Sequence, residues 1–184
     1  MNQIVFEKTN QIKPILNELG IDLWLTFVRE TSANADPVLP LIYGDSDLTW
    51  QSALIFSTDG EKSAIVGRFE VETARKIGAF DRVIAYDESI QPQLIEELNR
   101  IQPKKIAINM SENDVLADGL SHGMYLNLVH MLEETPFEDR LISAEEIIGK
   151  LRGRKTRTEI ERIKKAIDST QKIYETAISQ IKPG

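Results

Sequence analysis

The chain has 184 residues, with 22 Lys or Arg against 29 Asp or Glu, a net charge of -7, and no cysteine. A chain of this length buries about 70% of the surface its unfolded form exposes, enough for one sizeable core, while the lack of cysteine removes disulfides, thiolate metal ligands and a cysteine nucleophile. No apolar run approaches the roughly 20 residues that span a bilayer, and MNQIVFEKTN lacks the basic-then-apolar order of a secretory signal, so a soluble cytoplasmic protein with no membrane partner is expected.

Ile12, Ile15, Leu16 and Leu19 make a short helical face that Gly20 stops, with Pro14 expected near the first turn, where a missing N–H costs little. Asp22 to Val28 (DLWLTFV) reads as an interior strand. SALIFS and KSAIVG flank Thr58-Asp59-Gly60-Glu61, whose Asp-Gly pair favours the positive φ angles of a tight turn, and so form a hairpin. Val71, Ala74 and Ile77 before Gly78 predict a helix, RVIAY a strand, and Leu94, Ile95, Leu98 and Ile101 before Pro103 another helix. KKIAIN is the next strand and Tyr125, Leu128, Val129 and Leu132 mark the next helix, after which Ser143 and Glu146 have the spacing of a capping box. A hairpin followed by strand and helix units implies a mixed sheet with helices on both faces, an α/β fold of three layers.

Thr156 and Glu159 form a second capping-box pattern, which starts a long helix. Ile160, Ile163, Ile167, Tyr174, Ala177 and Ile181 recur along it at helical spacing, and Pro183 with Gly184 ends it. This stripe either folds back on its own domain or needs another surface. Charge divides at the same place. Residues 1–149 carry 12 basic against 25 acidic side chains, net -13, and residues 150–184 carry 10 against 4, net +6. Two segments follow, a domain over 1–150 and an appendage over 151–184. Arg152, Arg154, Lys155 and Arg157 suit an interdomain linker, and the acidic body would repel a nucleic acid.

The runs LRGRKT, EIERIKKAI and IKPG resemble the junction in the creatinase, prolidase and aminopeptidase P family, the pita-bread metallopeptidases. TDGEKSAIVGRFEVETARKIGAF and KKIAINMSENDVLADGLSHGMYLNLVHML resemble that family's N-terminal domain. The resemblance implies a ribonuclease H-like sheet in residues 1–150, joined by a linker helix to a catalytic domain beyond Gly184. It further implies that the dinuclear divalent-metal site, built from two aspartates, one histidine and two glutamates, lies in that domain, leaving this chain with no cofactor, metal ligand or catalytic residue of its own. Its implied partners are the catalytic domain, a peptide substrate and further copies of itself in a homo-oligomer such as a dimer. Ile160, Ile163, Ile167 and Tyr174 are the expected oligomer or interdomain contacts.

The residues offer little chemistry beyond this. His122 and His130 lie eight apart on one predicted helix, about 12 Å along its axis, too far to share an ion. His122 reads as a helix-start or surface residue and His130 as partly buried. The adjacent pairs Glu96-Glu97, Glu133-Glu134 and Glu145-Glu146 diverge by about 100° on a helix and read as solvated faces. Asp22 is the only acid within the predicted strands, which speaks against a nuclease. One loop stands apart. In related peptidases the connection from the first strand to the hairpin lies near the active-site mouth and commonly holds a tyrosine-leucine-threonine-glycine-phenylalanine pattern, whereas this chain has LIYGDSDLTWQS, which puts proline-specific cleavage in question. Either it is a polar surface loop with Trp50 anchored in the core, or Tyr43, Asp45, Asp47 and Trp50 line a substrate pocket. The expected function is the non-catalytic N-terminal domain of an Xaa-Pro-type metallo-aminopeptidase or dipeptidase, contributing oligomer contacts and substrate-site walls. The alternative is a stand-alone α/β binding or scaffold protein.

Overall fold

A computed structural model of the chain describes residues 2–181. Its organising element is β1 (Leu23–Val28), in which all six residues are buried. Successive side chains of a strand point to opposite faces, so Leu23, Leu25 and Phe27 enter one apolar cluster while Trp24 and Val28 enter another. A strand with no solvated face needs cover on both sides.

The hairpin of β2 (Ser52–Ser57) and β3 (Lys62–Gly67) forms as expected. Gly60 takes φ +98°, and the Asp59 carboxylate accepts from Glu61 N at 2.9 Å and from the Ser57 hydroxyl. β2 lies antiparallel on β1, with Leu23 opposite Ser57 and Val28 opposite Ser52. β4 (Arg82–Tyr86) pairs parallel with β3, β5 (Ile106–Ile108) with β1, and β6 (Leu141–Ser143) with β5. The order is β4-β3-β2-β1-β5-β6, and β2 alone runs against the rest. The helices α1 (Gln3–Leu19), α3 (Val71–Ile77) and α6 (Glu145–Gly153) cover the Trp24 face. On the Leu25 face lie α4 (Gln91–Ile101) and α5 (His122–Leu132). The one-turn α2 (Leu39–Ile42) sits in the β1–β2 connection. This is the three-layer mixed sheet that the sequence predicts.

Five local expectations change. Glu97, read as part of a solvated face, is 1% exposed, and its carboxylate accepts from Ser63 Oγ at 2.6 Å and from Arg100 at 2.8 Å. Pro14 lies deep inside α1 instead of in its first turn, because the helix begins at Gln3. Both Pro14 and Asn10, whose carbonyl loses its N–H partner, are exposed, so that carbonyl is not left unpaired in the core. Ser143 is no N-cap: it ends β6, its hydroxyl donates to Met110 O at 2.5 Å, and α6 is capped one residue later at Ala144 without a side-chain bond. His130 is exposed, paired through Nδ1 with Glu133 at 2.9 Å. The division after residue 150 falls inside α6, whose Leu151 is fully buried.

The capping box of α7 (Arg157–Gln180) forms as its spacing requires, with Thr156 Oγ1 accepting from Glu159 N at 3.2 Å and Glu159 Oε2 from Thr156 N at 2.7 Å. None of its residues is buried, and Ile163 and Tyr174 are 46% and 66% exposed, so the stripe does not fold back on its own domain. The proposed stop at Pro183 and Gly184 lies outside the described residues.

Replacing Pro14 by Ala should raise stability by about 1 kcal/mol or more, since the restored N–H reaches the Asn10 carbonyl in a helix already formed. Urea denaturation measures this; an unchanged or lower midpoint would show that the rigid ring earns its place by restraining the unfolded chain.

Candidate functional site

From β1 the chain builds the sheet outward through β2, β3 and β4, then returns to β5 and β6 on the other side of β1. Open α/β sheets leave a crevice beyond the carboxyl ends of the strands where the order reverses. A cleft of about 340 Å³ lies there, between Phe27 at the end of β1 with Arg29 and Glu30 after it, and Gly119, Ser121 and Met124 before and on α5. Its floor is apolar and its rim charged, with Arg29 and Glu30 both exposed. Glu30 holds φ +46°, a left-handed conformation that turns the chain, and its carbonyl accepts from Ala33 N at 2.9 Å and Asn34 N at 3.1 Å.

A buried polar chain adjoins the cleft. Trp24 Nε1 donates to Asn109 Oδ1 at 2.6 Å, and Asn109 Nδ2 donates to Asp36 Oδ2 at 2.7 Å and to Thr26 Oγ1 at 3.3 Å. Val38 N donates to Asp36 Oδ1 at 2.9 Å. Asp36 is only 1% exposed. Burial pushes its carboxyl above the usual range and the nearby Asp118 adds to this, while the bonds from Val38 and Asn109 act the other way. Gly119 is required here: a Cβ on it would lie 2.1 Å from the Asp36 carboxyl carbon. This carboxylate cannot serve a substrate from inside the core. It pins the start of the β1–β2 connection to the end of β5.

The four residues expected to line a substrate pocket do not come together. Tyr43 is a core residue on the Trp24 face, 1% exposed, and its hydroxyl has no partner among the described residues. Burial, helped by Glu70, raises that phenol well above its usual range. Asp45 and Asp47 are exposed, and Asp47 Oδ1 accepts from Thr31 Oγ1 at 3.2 Å. Trp50 is half-buried on the opposite face, 5.7 Å from the Tyr86 ring and edge-on to Phe69 at 6.0 Å. Phe69 is 83% exposed.

Sequence reasoning missed two residues that shape this end of the sheet. Glu70 accepts from Thr49 N, from Trp50 N at 3.3 Å and from Gly67 N at 3.2 Å, so one carboxylate ties the loop carrying Trp50 to the end of β3. Only its acidic type before a helix start hinted at this. Asp36 was visible as an acid beside Pro37, the pattern of a side chain that bonds its own backbone two residues on, yet its burial depends on Asn109, 73 positions away. Among the described residues no three His, Asp or Glu side chains are placed to hold a metal ion.

Asp36→Asn should cost about 1–3 kcal/mol, because two amide donors would then face each other in the core. Exchanging the pair, Asp36→Asn with Asn109→Asp, restores donor to acceptor and should recover most of that loss. The single variant also carries a pH signature. A carboxyl whose folded pKa is raised favours folding while protonated and loses that contribution as pH climbs from its unfolded value near 4 through the folded one. The stability gap between wild type and Asp36→Asn should therefore narrow as pH rises. Chemical denaturation across pH measures this, and a widening gap would contradict it.

No protein-family model matches the sequence, and no curated protein matches it. Solved structures do. An Xaa-Pro dipeptidase from Bacillus anthracis superposes with a TM-score of 0.61 at 20% identity, over 98% of this chain and 44% of that one. An X-Pro aminopeptidase from Thermotoga maritima gives 0.59 at 20% identity, over 96% and 44%. The creatinase/prolidase N-terminal domain of an X-Pro dipeptidase from Streptococcus pyogenes gives 0.57 at 17% identity, over 81% of this chain and 99% of that domain. The chain thus spans less than half the length of the two longer neighbours. Its fold is that of the creatinase/prolidase N-terminal domain, with one further helix attached.

Proposed function

We propose that this chain is the non-catalytic N-terminal domain and linker helix of an Xaa-Pro-type metallopeptidase. The observation that carries the reading is how much of each chain the likeness covers. The neighbour solved as a domain covers 81% of the chain, whereas the two longer peptidases cover 98% and 96%, a span that includes most of α7, and the chain in turn covers only 44% of each of them. An uncovered apolar helix at that position suits a junction to a C-terminal catalytic domain. The self-contained unit then ends at the Arg154–Thr156 connection, after α6 has closed its part of the core. In the whole protein the metal site belongs to the C-terminal domain, and this chain supplies walls and contacts: Trp50 with Phe69 as an apolar wall, the loop bearing Asp45 and Asp47 beside it, Tyr43 anchoring the start of that loop in the core on the Trp24 face, and Ile160, Ile163, Ile167 and Tyr174 as oligomer or interdomain surface.

The cleft at the switch point favours a second reading, a stand-alone binding protein that holds a small ligand where open α/β sheets commonly do. The gene distinguishes the two. Coding sequence past Gly184 with two aspartates, a histidine and two glutamates, whose product cleaves an Xaa-Pro dipeptide with manganese, is the expected result; a stop codon there, with no turnover, overturns the first reading.

The 184-residue chain should also self-associate through α7. Sedimentation velocity should show a concentration-dependent dimer, and Ile163→Asp with Ile167→Asp should weaken it tenfold or more, since each buried aliphatic side chain contributes about 1.5–3 kcal/mol. A monomer at high concentration would count against an oligomer contact on this face.

A further inference from the structure

Lysine is almost never fully buried unless its charge is paired, yet Lys8 of α1 has no exposure at all. Its ammonium has three protons to donate, and three acceptors surround it: Leu151 O at 2.8 Å, Arg154 O at 2.7 Å and Glu159 Oε2 at 2.9 Å. The first two are carbonyls at the C-terminal end of α6, where the helix leaves acceptors unpaired and its dipole is negative. The third is the capping-box glutamate of α7. One side chain therefore joins the end of α6 and the start of α7 to α1. Its neighbour Glu7 completes the attachment, accepting from Thr158 N at 3.2 Å and Thr158 Oγ1 at 2.7 Å, so α1 supplies a cap to α7 from another element. On the other side Arg154 grips Glu18 with two nitrogens, the first at 2.8 Å. Past its first turn every residue of α7 is exposed, and its 24 residues extend about 36 Å.

We infer that Glu7 and Lys8 form a clasp that fixes the direction in which α7 leaves the domain. A rod held only at its root transmits any rotation there to its far end, so the orientation of whatever α7 carries is decided at these two side chains. Without them the Arg154–Thr156 connection is a swivel. The use of that direction by a following catalytic domain rests on the function proposed above; the clasp itself does not.

The chain has no native cysteine, so nitroxide labels at Lys104→Cys and Ser169→Cys report one distance between the body and α7. Pulsed dipolar spectroscopy on labelled chain diluted in unlabelled chain should give a single narrow distribution. Glu7→Gln combined with Lys8→Met should broaden it at least twofold while near-ultraviolet circular dichroism stays native. Should loss of Lys8 unfold the body, Glu159→Gln with Glu7→Gln, which keeps the lysine and its two carbonyls, decides the matter by the same broadening. A parent distribution as broad as the variants', or folded variants as narrow as the parent, overturns the clasp. Peptidase assays do not enter this measurement, so failure of the peptidase reading leaves the result standing.

Discussion

A buried indole must find an acceptor, and the partner Trp24 finds determines how this end of the molecule closes. Its N–H reaches Asn109 just past β5, and the same amide turns its two protons to Thr26 and Asp36. Three segments distant in sequence, the central strand, the end of its parallel neighbour and the start of the β1–β2 connection, are thereby locked into one register. An asparagine is suited to this place because it accepts from the indole and donates to the carboxylate at once. The cost of burying Asp36 without a cation falls on the carboxyl itself, which shifts toward its neutral form.

That constraint also arranges the cleft. With Asp36 drawn inward, the chain between Val28 and Asp36 has to turn sharply out of the sheet, and Glu30 takes up the left-handed conformation that permits it. Gly119 must then pass close over the carboxylate, which brings the segment before α5 against the end of β1. The crevice at the switch point thus results from the topology of the sheet together with one polar chain beneath it. The Trp50 side of the sheet is arranged separately, through the three backbone donors gathered by Glu70.

Much of the fold was legible because it depends on local signals. The apolar run of β1, the Asp-Gly turn of the hairpin and the glycine after α3 each act over a few residues, and the structure places all of them as expected. The capping box at Thr156 formed as spaced, whereas at Ser143 the helix starts one residue later, so that hydroxyl, while donating to Met110 O, accepts from Glu145 N at 3.1 Å and not from Glu146 N. Residue 150 looked like a boundary since charge changes there, but Leu151 answers to the core and not to the charge pattern. The site was less legible for the same reason. Asp36 with Asn109, and Glu70 with the amides of Thr49 and Trp50, are pairings across 73 and about 20 positions, and periodicity carries no information about such distances. The aromatic and acidic residues crowded before β2 suggested one pocket, but Tyr43, at the end of α2, entered the core on the Trp24 face while Trp50, just before β2, packed on the other face.

α7 separates two tasks that most helices perform together. Starting a helix is costly because several residues must be fixed before the first bond forms; here the capping box and the contacts from Glu7 and Lys8 hold the first turn in place, so extension proceeds from a prepared nucleus. Along the shaft Arg157 with Glu161 and Gln171 with Glu175 add the small support of side chains four apart. None of this uses the apolar face. That face alternates steps of three and four through Ile160, Ile163, Ile167, Thr170, Tyr174, Ala177 and Ile181, an average of about 3.5 residues per turn, the repeat that keeps one seam turned toward a partner helix. The small residues Ala166 and Thr170, set among Ile163, Ile167 and Tyr174, leave a shallow groove that side chains of a facing element could enter. Helix formation is thus supported from within the domain, while the seam that would hold a partner is left open on its far side.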